Sequence, residues 1–270
     1  MLKKSLNRPV HAGARLFSVF SLICLFALLL LAAGCAPSKE AVRQPAVEPY
    51  TGPVTIEILK QSIGFRDIKT IKALTDVRVF NKGEPAGSFS GVFGYKAPDS
   101  LKTAFFGPLG LTVMEMLITP EVLQVFLPSK NIIYEMLSPG LSFSSFKHDS
   151  RFRYVMQAEG DFYALSAYNA ADSLDNPAIT YLFDKTYLLN RRIIVYRSAE
   201  QTVTLSFENF NGIVPELTRL SFSNGTAMDV TFREPEFDTE IPDGFFSRIE
   251  HADNDVLPFQ ELLRRFAPSR

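Results

Sequence analysis

The chain has 270 residues, 46% hydrophobic and 21% charged, which is enough for one sizeable core and points to a single globular unit. Its formal charge is −1; the first 34 residues hold four bases and no acid, so the remainder carries 24 basic against 29 acidic residues, near −5. That balance, with no run of Lys or Arg, excludes a basic footprint for nucleic acid.

The N-terminus reads in three parts: the basic stretch MLKKSLNRPVHAGAR, the apolar stretch Leu16 to Ala33, and Gly34-Cys35. This is the order of a secretory signal. A stretch of this length also fits a spanning helix, because about 20 residues cross a bilayer. Leu31-Ala32-Ala33-Gly34-Cys35 resembles the lipobox of bacterial lipoproteins, although the usual pattern sets Leu one position nearer the Cys. By that resemblance residues 1–34 are a signal peptide, and Cys35 is acylated on its thiol and on the new amine. Two or more chains anchor a protein stably, whereas one is marginal. Ala36 after the Cys implies the periplasmic face of the outer membrane. Cys24 and Cys35 are the two cysteines, so removal of the signal leaves no disulfide, and the core alone must hold the domain.

From Cys35 to Pro53 the text is rich in Pro and charge and reads as an extended tether. A helix is expected over Val54 to Ser62, with Ile56, Leu59 and Ile63 on one side. The period then falls to two. Runs at 73–80, 88–96, 101–106, 111–118, 122–127 and 131–134 are separated by short turns such as Asn81-Lys82-Gly83 and Ala97-Pro98-Asp99. Such spacers make hairpins, so the sheet should be antiparallel. Ser142 to Glu159 has mixed spacing and reads as one or two helices. Alternation resumes at 161–167, 179–188, 192–196, 202–208, 216–222 and 226–232, with Asn224-Gly225 as a strong hairpin turn. Val256 to Phe266 reads as a closing helix. The expected total is eleven or twelve strands.

Catalytic parts are missing from this text. It has no H-E-x-x-H, no G-x-S-x-G and no phosphate-cradling glycine loop. His148 and His251 stand among polar residues and read as surface groups. Asp172/Asp175 and Asp253/Asp255 read as solvated carboxylates in loops, though a sugar-cleaving pair would look the same. The expectation is a non-enzyme that needs neither cofactor nor metal.

The strands carry an apolar surplus. A sheet with one wet face should alternate. In Leu111 to Ile118 and Val122 to Leu127 both parities are apolar, so both faces want cover. Patterning alone leaves two readings open: a filled sandwich or sheet packed by helices, and a curved sheet closing on a cavity for lipid. Under the second, strand parity assigns Phe93, Phe105, Met114, Met116, Val125, Leu127, Phe183, Leu205 and Phe207 to the cavity. Phe and Met cover area without directional demands.

Gly107-Pro108-Leu109-Gly110 joins two apolar runs with Pro at its second position and Gly at its fourth, a type I signature. Its third residue, Leu109, projects from the hairpin end. There the 1.5 to 3 kcal/mol or so that burial of a leucine contributes is forgone unless something apolar arrives. Chance or local packing explains many exposed leucines.

The segment LKTAFFGPLGLTVMEML (101–117) resembles the LolB family of outer-membrane lipoprotein receptors, in which a Pro-Leu-Gly turn joins two strands. LTRLSFSNGTAMDVTF (217–232) is similar to the closing hairpin of that family, and the Gly-containing strand at 88–96 also fits. The resemblance implies a mainly β fold with helices: an unclosed antiparallel barrel of about 11 strands with an α-helical lid over an apolar cavity, shared with the soluble carrier LolA. It covers residues 54–235. Residues 236–270, with an IPDGFF stretch similar to carrier-like members, form an extension that should be helical in part.

It further implies that Leu109, flanked by Pro108 and Gly110, enters the membrane. The protein would take acyl chains of lipoproteins from a LolA-like periplasmic carrier and release them into the outer membrane, to which its own anchor holds it as a monomer. The alternative is a cell-envelope lipoprotein of the same fold that senses lipid or lipoprotein, or serves structurally, without transfer.

Overall fold

The computed structural model describes residues 46–65, 68–137, 151–170, 176–196, 202–250 and 255–266. The expected signal, Cys35, residues 36–45 of the tether, Ser142 to Phe146, both histidines and the Asp172/Asp175 pair lie outside them.

Helix α1 (Ile56–Gln61) leads into the strands β1 (Thr70–Asn81), β2 (Glu84–Lys96), β3 (Ser100–Phe106), β4 (Thr112–Ile118), β5 (Val122–Leu127) and β6 (Ile132–Leu137). There follow β7 (Phe152–Glu159), β8 (Phe162–Asn169), β9 (Ile179–Asp184), β10 (Asn190–Tyr196), β11 (Thr202–Phe210), β12 (Pro215–Phe222) and β13 (Thr226–Phe237), then β14 (Asp255–Pro258) and helix α2 (Phe259–Phe266). Thr55 starts α1 by accepting from the Ile58 N–H, and Leu59 buries its inner face.

One 14-stranded sheet results, in the order β14-β6-β5-β4-β3-β2-β1-β13-β12-β11-β10-β9-β8-β7, with its two end strands unpaired to each other. It is an unclosed sheet of more strands than expected. All twelve alternating runs are strands, and two further strands come from stretches read as helical. In β7, Phe152, Tyr154 and Met156 alternate with Arg153, Val155 and Gln157, a period of two hidden by the irregular text before it. Strand β14 pairs with β6 in parallel, the one departure from the antiparallel ladders. Four residues cannot declare a strand locally; the β6 ladder recruits them.

Directly paired residues share a face. The row Met156, Leu165, Tyr181, Ile193, Leu205, Leu220 and Met228 runs from β7 to β13, apolar at every position. A second row continues it through β1 to β6 as Ala73, Phe93, Thr103, Met116, Val125 and Tyr134. We call this the inner face. The outer face is polar at the centre, where Arg219 forks onto Asp229 at 2.7 and 2.8 Å and Arg233 meets Asp76 at 2.8 Å. Hydrogen bonding to Asp229 raises the Arg219 pKa above its ordinary value.

Over β4–β6 both faces are apolar, and chain beyond β13 covers both. On the inner side Leu262 of α2 is buried with Leu123, Val125 and Tyr134, and Phe259 packs on that cluster. On the outer side Ile249 joins Leu117, Val122, Phe126 and Ile133, with Phe246 packed against them. Phe245 presses on Gly94, where a Cβ would collide with its ring. Gln124, 1% exposed, holds this segment: it accepts from the Ile249 N–H at 2.7 Å and donates to the Ile249 carbonyl at 3.3 Å and to Glu135 at 2.8 Å. Arg248 also pairs with Glu135.

Candidate functional site

Residues from β3 and β10 line one pocket of about 200 Å³, together with β2, β11, β12 and β13. Six strand spacings separate β3 from β10, about 29 Å in a flat sheet. The inner face must therefore curl. Small residues let it do so: Phe93 and Phe232 meet edge to face at 5.0 Å across β1, above Ala73 and Thr75. Gly91 completes the gap, since a Cβ there would lie 2.6 Å from the Ala104 carbonyl and 2.5 Å from Thr75 Oγ1.

The lining is Phe93, Leu101, Ile193, Leu205, Phe207 and Phe232, together with Phe65, Leu188, Ile213 and Pro215. Among the described residues no charged side chain lines it. Ser62 Oγ spends its hydrogen on the Ile58 carbonyl, whereas Asn190 Oδ1 is buried without a partner. A pocket of this chemistry accepts hydrocarbon.

The nine residues chosen by parity all lie on the inner face, in four surroundings. Phe93, Leu205 and Phe207 line the pocket. Phe183 is buried under α1, in the cluster of Leu59, Ile63, Leu165, Tyr181 and Leu188. Met114, Met116, Val125 and Leu127 pack in the cluster that α2 covers, and Phe105 is buried beside Gly91. Phe232, Ile193 and Phe65 were missed. Phe232 and Ile193 carry the right parity; Phe65 follows α1 in a loop and carries no periodic signal.

Burial shapes the tyrosines near these clusters. Tyr95, below the pocket with Ile68, Ile71 and Val214, is pushed up to about 12 by burial, with Asp99 adding to the shift. Tyr181 is raised further by burial.

Leu109 is 97% exposed and Leu111 68% exposed. The turn is closed by Gly110 N–H donating to the Gly107 carbonyl at 3.2 Å, and Gly107 N–H donates to the Leu111 carbonyl at 2.8 Å. Leu109 sits at φ 65°, ψ 15°, so the turn is not type I, which needs a negative φ at its third position. A left-handed third residue is the mark of type II, where glycine is preferred. Leucine there costs about 1–2 kcal/mol of backbone strain and gains no burial. The turn shares its end of the sheet with the β1–β2 and β12–β13 turns, which bond through Lys82 N–H to the Gly225 carbonyl. The pocket residues Leu188, Leu189 and Ile213, in the β9–β10 and β11–β12 connections, lie toward the other.

An unclosed, mainly antiparallel sheet curled around an apolar pocket defines the architecture. Solved structures share it. A LolA superfamily protein from Nitrosomonas europaea has 12% identity and a TM-score of 0.51, over 73% of this chain and 99% of that one. A DUF1329 family protein from Desulfovibrio piger and an outer membrane lipoprotein-sorting protein domain from Vibrio parahaemolyticus each have 13% identity and a TM-score of 0.51, over 71% of this chain and 94% of theirs. These likenesses give the LolA-like fold. No family profile matches the chain, and no curated protein does. Among the described residues no helix is long and apolar enough to cross a membrane, and no cluster of His, Cys, Asp and Glu could hold a metal.

Proposed function

We propose that the protein is a LolB-like lipoprotein acceptor, anchored at Cys35 to the periplasmic face of the outer membrane. It takes the acyl chains of a lipoprotein from a LolA-like carrier into its pocket and releases them to the bilayer. The reading rests on one conjunction: a hydrocarbon pocket with no charge among its described lining residues, and at the far hairpin end a leucine that is both strained and unburied. Neither property of Leu109 favours folding, which leaves contact with something apolar as its use. Transfer is partition, at about 0.8 kcal/mol per buried CH₂, so the pocket must hold a chain less tightly than a membrane does. Residues 54–235 form the cradle, α1 covers one part of it, and no bond is made or broken.

The test is Leu109→Glu. We expect unchanged thermal stability and anchoring, unchanged acyl-chain binding, and loss of lipoprotein insertion into liposomes. Normal insertion by that variant rejects the role of the turn.

A second reading, a sensor or structural lipoprotein that binds without transfer, is favoured by the C-terminal segment, which fills part of the inner face. Retention of a bound lipopeptide by the unaltered protein in the presence of acceptor liposomes would select it.

A further inference from the structure

The pocket is too small for the cargo proposed for it. Its volume is about 200 Å³, below the roughly 300–1,000 Å³ of ordinary ligand sites. The face that lines it does not stop at its rim. Phe93 pairs with Thr103 and Thr103 with Met116, while Leu101 pairs with Ile118, so the same apolar surface runs on over β4–β6. There it meets α2.

Two observations mark α2 as an occupant of that surface, not a fixed wall. It has eight residues, shorter than the roughly 12–15 that hold as an isolated helix, and a four-residue strand ties it to the sheet edge. The surface beneath it includes Met114, Met116 and Met136, side chains that repack around irregular guests. Phe259 and Leu262 lie there as hydrocarbon would.

We propose that the inner face beneath α2 is a second acyl-chain chamber, and that a chain too long for the pocket extends from Phe93 to Met116 and displaces the helix. The proposal rests on the lipid-binding reading. In the resting protein α2 occupies the chamber, and the apparent affinity for long chains is lowered by the fraction of molecules in which it is closed.

Hydrogen–deuterium exchange on the full-length chain tests this, with palmitate as the long probe and octanoate as the short one. Palmitate should protect β10–β13 and raise exchange across residues 255–266; octanoate should protect β10–β13 alone. Leu262→Asp, which loosens the helix, should raise palmitate affinity roughly tenfold and leave octanoate affinity unchanged. Palmitate binding with no added exchange in 255–266 overturns the second chamber and leaves the pocket standing, whatever the folding of the variant. Failure of both acids to protect any part of the inner face overturns the lipid reading and this proposal with it.

Discussion

One face of one sheet meets two fates. Around β2 and β10–β13 its apolar side chains surround a hollow; over β4–β6 side chains of the same kind are packed solid beneath α2. Residue type separates the halves only in part, since Leu and Ile line both, with Phe added around the hollow and Met in the filled half. What separates them is whether the chain returns to fill the space. It does so over β4–β6 because that stretch is apolar on both sides, and the segment after β13 straddles the sheet border to serve both.

The contrast is sharpest under a buried charge. Val125→Asp places a carboxylate in the filled half with no partner and should destabilise by about 3 kcal/mol or more in chemical denaturation. Phe207→Asp, in the hollow half, should leave the denaturation midpoint nearly unchanged and abolish acyl-chain binding. If the two variants lose equal stability, the hollow is not solvent-accessible and the distinction fails.

Gln124→Leu comes next. It strands the Ile249 N–H and carbonyl, for a loss of about 2 kcal/mol, and should free the outer cover, seen as faster exchange at residues 243–249. Retained protection there would mean that Phe245 and Phe246 hold the segment unaided.

Alkaline titration reports on the core beneath the hollow half. Tyr95 has a folded pKa of about 12, raised above its unfolded value of 10.0. Its contribution is therefore complete below pH 10 and is lost as pH rises through 10 to 12, by at most about 1.4 kcal/mol per pH unit. Tyr95→Phe should flatten that decline, as measured by urea midpoints across this range. The smallest effect is Leu109→Gly, which removes left-handed strain and should raise stability by about 1 kcal/mol or less while losing insertion.

Much of this was legible beforehand. Period two with short turns gave twelve strands, and parity put nine residues on one face. Parity could not tell which of them would be covered, because Met116 and Leu205 look alike until α2 is placed. The helical lid remains part of the proposal. Strand β14 and the reach of Gln124 to Ile249 depend on partners 125 residues away or on a ladder outside the segment, and a local period does not record them. The Pro-Leu-Gly turn was found, but its type was misread because proline at the second position serves types I and II equally.

Strand β14 has one more consequence. An open sheet has two borders from which it could polymerise edge to edge. At one, the outermost strand is only four residues long, opens with Asp255 and ends in Pro258, which has no N–H to offer an incoming neighbour. Fibre growth by strand addition is thus discouraged on that side, and among the described strands β7 forms the other border.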